Sequence, residues 1–181
     1  MKKDKGVGFV YCHVEFIGAA NGVWKTPEFD PNLLLVSNLC VATSLFRHEA
    51  FDQVGGYRTD MIYGFEDWDF WIYLVEHGWR GKCIPEPLFY YRKHEASMLS
   101  NSQQNRPYLI NKMIEHHKET YIRSLNYVLV EKDKLFFQEH MSNYFNQSQL
   151  QQVMHSKAWK AIVFLRKVKD KMKKVVGSRN A

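Results

Sequence analysis

The chain of 181 residues has little cysteine: Cys12, Cys40 and Cys83 are its only three, far apart and without a Cys-x-x-Cys pair. Thiols at this spacing argue against a disulfide framework and a structural zinc site, and they fit a reducing compartment. No stretch approaches the roughly 20 consecutive apolar residues that span a bilayer. The start, Met1-Lys2-Lys3-Asp4-Lys5, is charged, and the apolar run after it is too short and interrupted for a signal peptide. The expected location is therefore cytoplasmic. Internal repeats and low-complexity linkers are missing, and Gly6-Val7-Gly8 lacks the remainder of a phosphate-binding loop.

What is present supports a folded domain, with 45% hydrophobic and 15% aromatic residues. The net charge of +6 is unevenly placed. Nine Lys/Arg and one acid, Asp170, fall between Lys157 and Arg179, which leaves sixteen basic and eighteen acidic residues in the rest, a net of −2. A mildly acidic body without a recognised binding motif argues against nucleic acid as a partner.

The pattern is that of an α/β chain. Gly8 to Ile17 is rich in β-formers and predicts a strand. Gly18 to Pro31 has the Gly, Asn, Pro and Asp of a loop. Leu33 to Phe46 is apolar and predicts a buried strand, irregular at Ser37-Asn38. His48 to Val54 predicts a short helix ended by Gly55-Gly56, and Tyr57 to Phe65 a loop. Asp67 to His77 predicts a helix with acids in its first turn and Phe70, Trp71, Leu74 and Val75 as its buried stripe. Arg80 to Ile84 predicts a strand, Pro85-Glu86-Pro87 a stiff turn, and Leu88 to Arg92 a further extended piece. Helices are expected over about 106–121, 133–145 and 148–176. The polar run 100–105 is the expected boundary between a first region, 1–100, and a helical region, 101–181.

The residues that carry chemistry lie between Leu33 and Ser97. Val54-Gly55-Gly56-Tyr57 is followed about ten residues later by Glu66-Asp67-Trp68-Asp69, then by Gly78, Pro85-Glu86-Pro87-Leu88 and Tyr91-Arg92-Lys93-His94. This order and spacing resembles the acceptor-side half of a GT-A-type family 2 glycosyltransferase, over roughly residues 7 to 100. The resemblance implies a partial GT-A (nucleotide-diphospho-sugar transferase) mixed sheet with helices, followed by a helical C-terminal region. It implies transfer of a sugar from a nucleotide-sugar donor to an acceptor hydroxyl on a glycan or lipid-linked acceptor, in the synthesis of cell-envelope polysaccharide.

By that resemblance Asp67 is the catalytic base, and Glu66, Trp68 and Asp69 meet the acceptor, Trp68 by stacking on a sugar face. Asn38, Arg47 and Arg92 are candidates for the donor or its diphosphate. His94 is the candidate ligand of a divalent metal, Mn or Mg. Each has a plainer reading. Acids in a first helical turn serve as caps, Asn38 bonds a neighbouring loop, Arg47 and Arg92 are surface charges, and His94 is solvated. Cys12-His13-Val14-Glu15 alternates its side chains across a strand and so does not converge on a metal. His116-His117 reads as a solvated helix face.

The Asp-x-Asp metal motif and the nucleotide-binding strands of the family would precede residue 1, and Asp67-Trp68-Asp69 does not replace them. The chain is therefore expected to be a half-domain whose strand at Gly8 to Ile17 has an unpaired edge. Such an edge predicts a homo-oligomer, a complementing N-terminal half, or cover from the C-terminal helices. A rival reading follows: a non-catalytic module that binds acceptor or membrane and needs a partner chain. Ala158, Ile162, Leu165, Val168, Met172 and Val175 recur at helical spacing among lysines and arginines between Ser156 and Val176. That basic amphipathic helix either lies on an anionic membrane, as a peripheral contact at its inner face, or packs on the domain.

Overall fold

The computed structural model describes residues 4–93, 99–160, 163 and 166, with side chains of residues 99–101 left aside. The chain forms two compact units, Met1–Lys132 and Asp133–Ala181. The first is a mixed α/β unit built on β1 (Val7–Gly18). Along one edge β1 pairs in parallel with β4 (Arg80–Lys93), from Val7 opposite Arg80 to Gly18 opposite Lys93. Its other edge is shared by two short antiparallel strands. β2 (Gly22–Trp24) pairs at residues 14–16, and β3 (Leu45–Phe46) pairs at Phe9 and Val10. Both edges of β1 are thus paired within the chain, which corrects the expectation of an unpaired strand there. Among the described residues the longest open edge is the outer one of β4, which, like β2 and β3, pairs with β1 alone.

β4 also corrects the turn expected at Pro85-Glu86-Pro87. The strand runs through it as a bulge: Cys12 faces Ile84 and His13 faces Pro87, so Pro85 and Glu86 are extra. Proline lacks the N–H that a ladder needs, and an edge strand with a bulge is where a sheet accepts it.

The segment expected as one buried strand is instead α1 (Pro31–Val36), a loop and β3. Asp30 accepts the backbone N–H groups of Asn32 and Leu33, and Pro31 occupies the first turn, where no N–H is missed. These local signals outweigh the β-like composition of Leu33–Val36. The helix α2 (His48–Val54) ends as expected on left-handed Gly55 (φ 78°), with Gly56 (φ 82°) next.

α3 (Glu66–Glu76) carries the core. Trp68, Asp69, Phe70, Trp71, Ile72 and Leu74 are all buried. Trp71 stacks on Phe9 of β1 at 4.9 Å between centroids, and Phe70 meets Phe46, Phe51 and Tyr57. Behind it come α4 (Leu99–Gln104), α5 (Arg106–His116) and α6 (Lys118–Arg123). Leu109 and Met113 of α5 are fully buried in the same core as Phe9 and Trp71. The polar run 100–105 therefore does not end the first unit. α7 (Leu125–His155) is one continuous helix, whose turns up to Lys132 belong to the first unit; it replaces the break expected near residue 146. The basic helix expected over 156–176 lies mostly outside the described residues. Among the described residues no helix is long and apolar enough to cross a membrane.

Gly81 marks the tightest approach of β4 to the core. A Cβ there would stand 2.5 Å from the Phe29 ring and 2.7 Å from the Phe9 ring. Gly81→Ala is expected to lower unfolding free energy by about 1–3 kcal/mol, the usual cost of overpacking, as measured by urea denaturation.

Candidate active site at the start of helix α3

The entry to α3 is a forced turn. Gly64 has φ 121°, and Phe65, at φ 64°, is the only non-glycine residue with positive φ among those described. A bulky residue in the left-handed region costs on the order of 1–3 kcal/mol, and such strain collects at functional sites. The Phe65 ring is held between Trp68 (5.4 Å) and the Arg106 guanidinium (5.4 Å). This turn delivers Glu66, Asp67 and Asp69 to the first turn of α3.

The three acids have different fates. Glu66 is exposed, Asp67 is half-buried and Asp69 is buried. Asp67 Oδ2 accepts the Asn38 side-chain N–H at 3.1 Å, and Oδ1 accepts the Trp68 backbone N–H at 2.8 Å. Burial raises its carboxyl pKa above the ordinary carboxylate value; those two bonds offset part of the effect, and repulsion from Glu66 adds to it. Tyr57 sits close enough that burial, then the charges of Asp67 and Glu66, hold its hydroxyl proton more tightly. Tyr57 is 38% exposed. A carboxylate with a raised pKa, an exposed second acid and a partly exposed tyrosine thus lie together.

Asp69 points the other way. Its Oδ1 is 2.7 Å from His116 Nδ1 and 3.2 Å from His117 Nε2, and its Oδ2 is 3.3 Å from Arg58 Nε, an ion pair without hydrogen-bond alignment. The other nitrogen of His117 is 2.8 Å from Glu76 Oε2, and that of His116 is 3.0 Å from Asp60 Oδ2. This cluster ties both ends of α3 to α5 and to the junction at His117. It corrects the solvated helix face expected at His116-His117: His117 is 1% exposed. Asp69 accordingly does not reach an acceptor. Trp68 is not a stacking platform either, because its ring is 2% exposed and its Nε1–H donates to the Leu34 carbonyl at 2.6 Å.

The remaining candidates are dispersed. Arg47 donates from Nε to the Val7 carbonyl (2.7 Å) and from an Nη to the Asp4 carbonyl (2.9 Å), at the start of β1. Arg92 is exposed at the end of β4, and His94 lies outside the described residues. Among the described residues no group of three or more His, Cys, Asp or Glu side chains is arranged to hold a metal ion. Cys12 and His13 follow the strand alternation, His13 Nδ1 turning to Thr26 Oγ1 at 3.1 Å. Sequence reasoning missed the Asn38–Asp67 bond, which spans 29 positions, and the carboxylate partners of the two histidines. A polar residue in an apolar run was the one signal for Asn38. No protein-family model matches the chain, and no curated protein matches it.

The cluster sets a pH dependence of stability. Burial disfavours the His117 cation, but Asp69 and Glu76 outweigh it and raise its pKa. Its contribution is complete below the ordinary histidine value of 6.5 and is lost as pH rises through the elevated folded value. Burial likewise opposes the Asp69 and Glu76 anions, but the histidines, with the Thr120 hydroxyl at Glu76, outweigh it and both pKa values fall. Their contribution is present above the ordinary values of 3.8 and 4.5 and is lost as pH falls through the lowered ones. Stability is therefore expected to be greatest between about 4.5 and 6.5, in urea titrations across pH. His117→Gln should cost about 3–5 kcal/mol in that window, the usual cost of stranding a buried charge, and should flatten the alkaline decline.

Proposed function

We propose that this chain supplies the acceptor side of a glycosyl-transfer site, with Asp67 as general base. The observation that carries the reading is the state of Asp67: half-open, held by Asn38, and more basic than an ordinary aspartate. In the transfer, the acceptor hydroxyl oxygen bonds to the anomeric carbon of a nucleotide sugar as its proton passes to an Asp67 oxygen. The bond to the nucleotide diphosphate breaks and the diphosphate leaves. A base held within hydrogen-bond reach and with a raised pKa suits that step. Glu66 and Tyr57 orient the acceptor, Tyr57 taking the aromatic role first assigned to Trp68.

A divalent ion, Mn or Mg, belongs to the same proposal with His94 as its ligand. The described residues form no ligand set around it, so no step is assigned to the ion. A GT-A-type half-domain and cell-envelope acceptors rest on the residue pattern, Glu66-Asp67-Trp68-Asp69 and its flanks. The second reading, a module completed by a partner chain that brings the nucleotide-binding strands, is favoured by the open outer edge of β4.

Calorimetric titration with uridine-diphosphate sugars, with and without manganese, separates the two. Metal-dependent binding supports a site complete in this chain, and its absence from a folded sample favours the partner. In whichever assembly transfers sugar, Asp67→Asn should lower turnover by at least about 100-fold at unchanged thermal midpoint; full activity would remove Asp67 as the base. Asn38→Ala deletes a bond that lowers the Asp67 pKa, so the acid limb of the pH–rate profile should move to higher pH. An unmoved limb would show that Asn38 does not tune the base.

A further inference from the structure

From Asp133 onward, the second unit is described as the remainder of helix α7 with a short continuation, and no residue of α7 is buried among those described. Phe136, Phe137, Tyr144 and Phe145 are each between 57% and 69% exposed. At about 100° per residue, Leu135, Phe136, Leu150, Val153 and Met154 fall on one side of the helix. Phe137, Met141, Tyr144 and Phe145 fall on the opposite side. On the first stripe Phe136, Leu150, Val153 and Met154 are each at least half exposed, apolar surface of the kind that the core of an interface buries. A helix apolar on two sides is buried between neighbours.

We propose that the neighbours are other copies of this chain, and that α7 is its assembly element. From Met141 to His155 the sequence contains no Lys, Arg, Asp or Glu, so the copies do not repel and nothing in this stretch attracts an anionic membrane. The first stripe is also symmetric about the midpoint between Tyr144 and Phe145. In an antiparallel pair, Leu135 faces Met154 of the second copy, Phe136 faces Val153, and Asn143 faces Asn146. Glu139, the one charged residue of that stripe, faces Leu150 and not a second Glu139. This is the self-complementarity that a two-fold interface requires. Amides at its centre fix the register as buried amides do in coiled coils.

Light scattering on the purified full chain tests the proposal. The expected mass is at least twice the 21.5 kDa of one copy, and Phe136→Glu with Val153→Glu should break the pairing through the first stripe and lower it. Gln138→Glu, on the same helix but between the two stripes, should leave the assembly intact. Near-ultraviolet circular dichroism of the first unit shows that each variant folds. A monomeric parent chain overturns the proposal, as does an assembly whose mass the double substitution leaves unchanged. A monomer that co-sediments with phosphatidylcholine–phosphatidylglycerol vesicles overturns it in favour of a membrane-lying helix.

Discussion

The burial of helix α3 on nearly every side is the constraint on which the rest of the first unit depends. Trp71 against Phe9 fixes the helix to β1, and Phe70 closes the aromatic group of Phe46, Phe51 and Tyr57. A helix so enclosed has few positions left for charged groups. Asp69 falls inside, and burying a lone carboxylate is prohibitive unless partners are supplied. Arg58, His116 and His117 supply them. Two residues earlier, Asp67 emerges at the rim with an amide and a backbone N–H as partners and no cation among its hydrogen-bond partners. Asp69 is thus a structural anion, while Asp67 keeps the raised pKa that the proposed base requires.

That division explains how much of the chain was legible in the sequence. The strand at β1, the helix at α2 with its glycine cap, the loop to Phe65 and the existence of α3 follow from periodicity and from Gly55-Gly56 and Gly78. Those are local signals, and the structure agrees with them. The stretch Leu33 to Phe46 was misread because its apolar composition suits either element; Asp30-Pro31 held the deciding signal. The bulge in β4 was read as a turn because two prolines usually mark one, and a neighbouring strand is needed to see otherwise.

The site was legible only in part. Glu66-Asp67-Trp68-Asp69 directs attention to one turn of chain, but a linear pattern does not say which acid faces inward. His116 and His117 looked solvated because their partners, Asp60, Asp69 and Glu76, lie about 40 to 56 positions away. Trp68 looked available for a sugar because its partner is a backbone carbonyl on α1. Long-range pairing of this kind is decided by topology, which residue spacing does not encode.

The contrast between Asp67 and Asp69 is the account's central claim, and carboxyl carbon-13 NMR titration tests it directly. Asp67 is predicted to titrate above the ordinary aspartate value of 3.8 and Asp69 below it. An Asp67 that titrates at or below that value would contradict the assignment of a poised base at the start of α3.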